Sequence, residues 1–224
     1  MTIKKVSFQR DTFRELSKQM NFCLPAFVLS FDPKNQRAQV QPAINRVDLS
    51  GWSEPLPSII DVPVRFAGGG EFHIEHQVDN GDEGLLFFSQ RCVDIWKQTG
   101  GLVTNVDGRM FNISDAFFGV GYRSTPNAIS GFSNNGIKLR NKSGNHYCWL
   151  KNDGSTEISN GAGKIILGAD GVVNINGVTF QTNGDVESPT RIDAKTIRGS
   201  EDVVFGDISG IDHRHTGVTS GPDT

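Results

Sequence analysis

The residues with the clearest capacity for chemistry are two histidines near the C-terminal end of the sequence. His213 and His215 are separated by a single residue, Arg214. In a β-strand, residues i and i+2 point to the same face, so the two imidazoles would project in parallel. Two nitrogens make an incomplete metal site, whereas three copies of the chain around a threefold axis would supply six. Six imidazoles in an octahedral arrangement suit Fe(II), Ni(II) or Co(II) better than tetrahedral Zn(II).

Other candidate residues have simpler interpretations. His73 and His76 are three positions apart, which places them on opposite faces of a strand and does not form a chelate. Asp82 and Glu83 are adjacent acids in a turn, where solvated carboxylates are the ordinary case. The sequence has no nucleophile elbow, no phosphate-binding loop and no His-Glu-x-x-His zinc motif. We therefore expect a protein that is not an enzyme.

Composition excludes several classes of protein. The chain has 224 residues, with 22 Lys and Arg against 25 Asp and Glu, so a basic footprint for nucleic acid is absent. Cys23, Cys92 and Cys148 are widely spaced and odd in number, which predicts reduced thiols in a protein made in a cytosol. The first residues lack the apolar segment of a signal peptide, and no apolar run reaches the ~18 residues that a membrane-spanning helix needs.

The N-terminal half has the pattern of a small barrel. Residues 1–20 form an extension in which Phe13, Leu16 and Met20 have the spacing of a short amphipathic helix. Residues 21–130 then contain short strand patterns separated by turn residues. These patterns are 25–31 paired with 37–42, 61–66 paired with 71–76 around three glycines, and a fully buried strand in 85–90. Short strands of this kind fit a Greek-key barrel such as an OB-fold.

The C-terminal half changes character, because it is rich in glycine turns and poor in aromatic residues. Between the turns lie short strands with no helical periodicity: IKLR, YCWL, TEIS, KIIL, VVNI and VTFQ. One chain could not bury these strands in a core of its own. Winding three copies around a shared axis would bury Ile158, Ile166, Val173, Ile175 and Val178 together and protect the strand edges. We therefore predict a homotrimeric β-helix or β-prism, with a monomeric β-sandwich as the alternative.

Several motifs, taken in order, resemble one family over about residues 20–224. They are VQPA (40–43), DVPV (61–64), GDEG (81–84), the segment around Trp96, and SDA (114–116), followed by the glycine-rich repeat and the terminal His-Arg-His. In this order they are similar to the central baseplate spikes of bacteriophage contractile tails. Those spikes are membrane-piercing proteins with an N-terminal OB-fold domain.

The resemblance implies an all-β homotrimer with three parts that follow the extension of residues 1–20. Residues 1–20 precede an OB-fold collar at 21–130, a triple-stranded β-helix at 131–206 and a metal-bound tip at 207–224. The collar would attach to the tail hub or baseplate, and the tip would hold one iron ion (Fe²⁺) per trimer between the six histidines His213 and His215. The protein would be assembled in the host cytoplasm, would stand at the baseplate tip of the virion, and would pierce the host outer membrane mechanically when the sheath contracts. No nucleic-acid partner is implied.

Two other functions share parts of this pattern. A trimeric receptor-binding tail fibre or adhesin would have a similar β-repeat and would bind a host glycan. Tyr147 and Trp149 occupy alternate positions of one strand, so they could offer a small sugar platform. A wall hydrolase or polysaccharide-cleaving β-helix would need acids paired on one face, and the repeat shows no such pairs.

Overall fold

A computed structural model of the chain describes residues 10, 12–13, 16–17, 20–48, 50–200, 202–206 and 208–209. Contacts within the chain divide it into two compact units, Met1–Ala128 and Ile129–Thr224. Among the described residues, no helix is long and apolar enough to cross a membrane.

The structure is mostly β with very little helix, which confirms the predicted all-β class. Helical backbone occurs at described positions between 10 and 17, in α1 (Asp94–Thr99) and in one 3-10 turn (Thr125–Asn127). The strands of the N-terminal unit are β1 (Cys23–Asp32), β2 (Arg37–Pro42), β3 (Arg46–Val47), β4 (Ser53–Glu54), β5 (Ile59–Pro63), β6 (Ala67–Gly69), β7 (Phe72–Ile74), β8 (Glu83–Phe88) and β9 (Ala116–Val120). Those of the C-terminal unit are β10 (Ile137–Arg140), β11 (His146–Leu150), β12 (Thr156–Asn160), β13 (Lys164–Leu167), β14 (Val173–Ile175), β15 (Val178–Phe180), β16 (Val186–Glu187), β17 (Val204–Phe205) and β18 (Ile208–Ser209).

The main sheet of the N-terminal unit curls towards closure. Its strand order is β5-β2-β1-β8-β9, and all neighbouring pairs are antiparallel. The two edges approach each other through a parallel bridge between Val64 and Phe118, and the backbone N–H of Arg65 donates to the carbonyl of Phe118 at 2.9 Å. The sheet is therefore a curled half-barrel around an apolar interior.

The predicted hairpin of 25–31 with 37–42 is confirmed as β1 and β2. Its turn forms because the Asp32 carboxylate accepts hydrogen bonds from the Lys34 backbone N–H at 3.0 Å and from Asn35 Nδ2 at 2.7 Å. An aspartate that bonds the backbone two residues on stabilises the turn locally.

The other two strand predictions for this unit require correction. The segment 61–66 does not pair with 71–76, because its first part belongs to β5 and pairs with β2, while β6 pairs with β7. The strand predicted in 85–90 is β8, but its side chains alternate between buried and half-buried positions. The alternation arises because only one face of the curled sheet points to the core, where Val28, Val40, Leu86 and Phe118 are fully buried.

The C-terminal unit contains a seven-stranded antiparallel meander, in the order β10 to β16. The six short strand segments predicted from the glycine-rich repeat are confirmed as β10 to β15. The tightest connection, between β14 and β15, is Asn176-Gly177, where both residues have positive φ (51° and 95°). That conformation matches a type I′ hairpin turn, which asparagine and glycine tolerate best. Within the described residues the sheet is open, and β10 and β16 are its edges.

Candidate functional site

The predicted metal ligands His213 and His215 lie outside the described residues. Within the described part of the chain, one group of three side chains has potential metal ligand atoms within 4.8 Å of one another: Cys92, Asp94 and Asp115. The metal site predicted at His213 and His215 therefore stays a prediction. Whether Cys92, Asp94 and Asp115 could hold a metal ion depends on the contacts that these side chains already make.

The group at Asp115 is an ion-pair cluster centred on Arg109. The guanidinium donates to both carboxylate oxygens of Asp115, through Nε at 2.7 Å and Nη2 at 2.8 Å, and Nη2 also donates to Asp94 at 2.7 Å. Asp107 accepts a fourth bond from Nη1 at 3.1 Å. The bonds to Asp115 and Asp94 raise the pKa of Arg109 above its ordinary value, and the Asp115 bonds contribute most. The guanidinium of Arg109 is already the counter-cation of the Asp94 and Asp115 carboxylates. The cluster is therefore structural.

The other histidines, His73, His76 and His146, do not come together as a site. His73 is exposed in β7, and the ring of His76 packs on Phe66 with centroids 4.9 Å apart. His146 begins β11 and is exposed.

The acidic pair Asp82 and Glu83 is structural, and Glu83 has a defined role. Glu83 accepts hydrogen bonds from the backbone N–H of Ser124 at 2.6 Å, from its hydroxyl at 2.8 Å and from Asn127 Nδ2 at 2.6 Å. The Ser124 and Asn127 bonds lower the pKa of Glu83. This carboxylate therefore holds the 3-10 turn that follows β9.

One face of the C-terminal meander is apolar from edge to edge. Directly opposed residues of neighbouring strands share a face, so the strand register assigns every side chain to one of two sides. The apolar face is the set of apolar residues that the register places on one side: Ile137, Leu139, Cys148, Leu150, Ile158, Ile165, Leu167, Val173, Ile175, Val178, Phe180 and Val186. The same side also carries the polar residues His146, Thr156 and Asn160 of β11 and β12.

This apolar face is open to solvent in the single chain. Nine of its side chains are between 38% and 68% exposed. Those fractions correspond to on the order of 800 Å² of apolar surface, above the roughly 300–600 Å² of the largest patch on a typical monomer. The predicted group of Ile158, Val173, Ile175 and Val178 lies on this face, but Ile166 does not, because it is opposed to Glu157 and Asn174 on the other side.

The second face of the meander is polar and is organised around one carboxylate. Glu157 is 7% exposed and accepts hydrogen bonds from Lys151, from Lys164 Nζ at 3.0 Å and from the Tyr147 hydroxyl at 3.0 Å. The Lys151 bond lowers the pKa of Glu157 most, burial opposes it, and the pKa falls from 4.5 to about 2. Glu157 in turn raises the pKa of Lys164.

Two aromatic rings stand beside this carboxylate, as the alternation predicted. The Tyr147 and Trp149 centroids are 6.3 Å apart in an edge-to-face arrangement. Lys138 Nζ lies 4.1 Å from the Tyr147 centroid and 4.3 Å from that of Trp149, while Lys151 Nζ lies 4.8 Å from Trp149. Such contacts attract an ammonium to the ring face.

Comparison with known proteins gives one finding about family. Residues 24–121, just under half of the chain, match the family model described as "Phage protein Gp138 N-terminal domain". The matched region spans β1 to β9, the curled half-barrel with its α1 helix. A search of the curated proteins found no matching relative. The N-terminal unit is thus similar to a domain of phage proteins, and this supports a phage protein.

Sequence reasoning missed two features of these sites. The Arg109 cluster joins the first residue of α1, Asp94, to the loop before β9, and no short motif signals that arrangement. The sequence indicated only some residues of the apolar face. Adjacent isoleucines such as Ile165 and Ile166 do not show which of the two points to that face.

Proposed function

We propose that this chain is the subunit of a homotrimeric, cell-puncturing spike of a phage contractile tail. The N-terminal unit would form a collar that attaches to the tail hub or baseplate, and the C-terminal unit would form the shaft. The similarity of residues 24–121 to a phage protein domain supports a tail or baseplate role and a place in the virion. The role is mechanical: the spike would pierce the host outer membrane on sheath contraction and would not act as an enzyme.

The observation that carries the proposal is the open apolar face of the meander. An exposed apolar surface of this size is unfavourable in water and must be covered. Its area is comparable to the ~800 Å² that each partner contributes to a standard specific interface. Among the twelve residues of the apolar face none carries a charge, so the surface is complementary to copies of itself. Three sheets whose apolar faces point to a common axis would form a β-prism or an intertwined β-helix.

The collar is proposed as an OB-fold barrel. The strand order β5-β2-β1-β8-β9, with the edges approaching in parallel at Val64 and Phe118, supports that topology. A five-stranded, partly open Greek-key barrel is the OB architecture. In this arrangement the second, polar face of the meander would lie on the outside of the shaft.

The tip is proposed to hold one Fe²⁺ per trimer through His213 and His215 of each chain. Six imidazoles form a donor set that fits an octahedral iron ion and leaves no position for substrate. The ion would then cross-link three chain segments that would otherwise fray, because terminal segments have few contacts. It would contribute order at the tip.

Native mass spectrometry of the full chain tests the assembly. We expect three chains of 24.5 kDa each, with a bound mass of one iron. A matched pair of variants tests the interface: Ile158→Lys places a charge on the apolar face, and Thr179→Lys places the same charge on the polar face. Ile158→Lys should shift the protein to monomers, and Thr179→Lys should leave it trimeric. A monomeric wild-type chain would refute the proposed spike.

A further inference from the structure

The polar face of the meander carries a compact basic patch at its β10–β13 end. The basic patch consists of Lys138, Tyr147, Trp149, Lys151, Glu157 and Lys164. One cross-strand row contains three directly opposed residues, Lys138 of β10, Trp149 of β11 and Glu157 of β12. In the neighbouring row, Ser159 is opposed to Tyr147 on one side and to Lys164 on the other. The patch therefore follows two adjacent cross-strand rows of one sheet face.

The basic patch has more positive charge than its own carboxylate neutralises. Lys151 and Lys164 share the single carboxylate of Glu157. Lys138 makes its contacts with the two rings, and no described carboxylate forms an ion pair with it. Three ammonium groups against one carboxylate leave a surplus of two positive charges, and the guanidinium of Arg140, directly opposed to Tyr147 on the same face, adds a third. The whole chain, by contrast, has a net charge of −3.

The rings hold these cations in fixed positions. Trp149 Nε1 donates to the backbone carbonyl of Asn135 at 2.6 Å, and the Tyr147 hydroxyl donates to Glu157. With both rings anchored at their polar ends, Lys138 Nζ stays between them. Cations ordered before binding lose less conformational entropy when an anion arrives, which favours recognition.

The shape of the basic patch indicates a compact anion. Towards β16 the described residues of the same face are Asn174, Thr179 and Glu187, which supply no cation, so the patch does not continue as a stripe along the sheet. A nucleic acid would need such a stripe, together with open ring faces for stacking. Here ammonium groups already lie over the rings.

The surrounding groups suit a sugar that carries the anion. Phosphate oxygens would accept from Lys138 and Lys164. The Ser159 hydroxyl, opposed to Tyr147, accepts from the backbone N–H of Gly161 at 3.1 Å and keeps its own proton to donate to a sugar hydroxyl. Tyr147 and Trp149 are half-buried, so the accessible parts of the rings can contact the apolar C–H groups of a pyranose.

We propose that the basic patch binds phosphate groups carried on a saccharide. In the proposed spike the patch lies on the outside of the shaft and would meet phosphorylated sugars of the cell envelope. That source of the ligand rests on the proposed function, whereas the binding chemistry rests on the patch alone.

Isothermal titration calorimetry on the full-length protein tests the site. The probe is the lipid-free phosphorylated core oligosaccharide of lipopolysaccharide, compared with the same oligosaccharide after removal of its phosphates. Lys138→Gln and Lys164→Gln should each weaken binding at least tenfold. Lys142→Gln, an exposed lysine of the turn between β10 and β11, is the matched control and should bind as the wild type does. Near-UV circular dichroism, to which Tyr147 and Trp149 contribute together with the other aromatic residues, verifies that each variant keeps its fold.

Three results would overturn the proposal. One is equal affinity for the phosphorylated and dephosphorylated oligosaccharides. Another is binding of intact lipopolysaccharide micelles but not of the lipid-free sugar, which would indicate a membrane surface as the ligand. The third is equally tight binding of a short DNA duplex in competition, which would indicate unspecific attraction of anions. The mass of the assembly is measured separately, so a monomer that binds the sugar would refute the spike and leave the basic patch in place.

Discussion

Arg109 holds Asp115 by a bidentate ion pair, and Asp115 is completely buried. The Nε–Oδ2 and Nη2–Oδ1 distances are 2.7 Å and 2.8 Å, and the Asp115 carboxylate also accepts from the backbone N–H of Val93 at 3.0 Å. Burial raises the pKa of Asp115, the Arg109 bonds lower it, and the net shift is downward. Through the bond of Asp115 to Val93 and that of Arg109 to Asp94, the pair links the loop before β9 to the start of α1.

Arg109→Met should destabilise the N-terminal unit by about 3 kcal/mol, since it leaves a buried carboxylate without its counter-charge. Hydrogen exchange of the Leu86 and Phe118 backbone amides, which lie in the core strands of this unit, measures the change. Arg91→Met, at an exposed arginine next to Cys92, is the control and should have little effect. Adding Asp115→Asn to Arg109→Met should recover part of the loss, because the stranded charge is then gone. An Arg109→Met protein with wild-type protection would mean that the ion pair contributes little.

Gly84 determines how closely β8 and β9 can pack. A Cβ atom built on Gly84 would collide with the backbone carbonyl oxygen of Gly119 and would lie 2.5 Å from Cζ of Phe118, a fully buried side chain. Gly84→Ala should therefore cost about 1–3 kcal/mol, the usual range for overpacking a core. Gly69→Ala in β6, where a Cβ would meet nothing within 4 Å, should change stability little. Urea unfolding of the two variants checks this prediction, and equal midpoints would show that Phe118 can move aside.

Some strands could be predicted from the local sequence, whereas others depend on pairing between distant segments of the chain. Glycine turns and alternation indicated β10 to β15 correctly, because each hairpin is specified by residues close in sequence. The partners of 61–66 were wrong, since β5 pairs with β2 across a long connection that no local pattern encodes. Arg109 and Asp115 are near in sequence, but their burial depends on α1 and β9, which only the folded chain brings together.

The same limit applies to Ile166. KIIL contains two adjacent isoleucines, so its periodicity allows either of them to face the apolar side. Pairing of Ile165 with Ile158 and of Ile166 with Glu157 decides the face, and this pairing is a property of the sheet. In the proposed spike, other copies of the chain would cover the apolar face, and no pattern within one sequence specifies such a contact.

Glu157 should make the stability of the C-terminal unit depend on pH in the acid range. Its pKa is about 2 in the folded chain against an ordinary value of 4.5, so the folded state binds fewer protons than the unfolded state. The stabilisation is fully present above pH 4.5 and is lost as the pH falls from 4.5 to about 2. Fluorescence of Trp149 during urea unfolding at each pH, in a chain with Trp52→Phe and Trp96→Phe, measures it.

Glu157→Gln should remove this pH dependence and lower the stability at pH 7, because Lys151 and Lys164 then share no carboxylate. Glu187→Gln, at an exposed position on β16, should keep the acid sensitivity of the wild type. The role assigned to Glu157 would fail if its glutamine variant lost stability between pH 4.5 and 2 as steeply as the wild type.

His213→Ala combined with His215→Ala should abolish iron binding and leave the collar and shaft folded, because the proposed ion orders only the tip. Elemental analysis of the purified protein measures the iron, and native mass spectrometry should still report three chains. His73→Ala with His76→Ala is the matched control and should keep its iron. Acidification through about pH 6.5 should release the ion from the wild type, since imidazole binds metals only in its neutral form. Iron retained by the His213 and His215 double variant would place the ligands elsewhere in the chain.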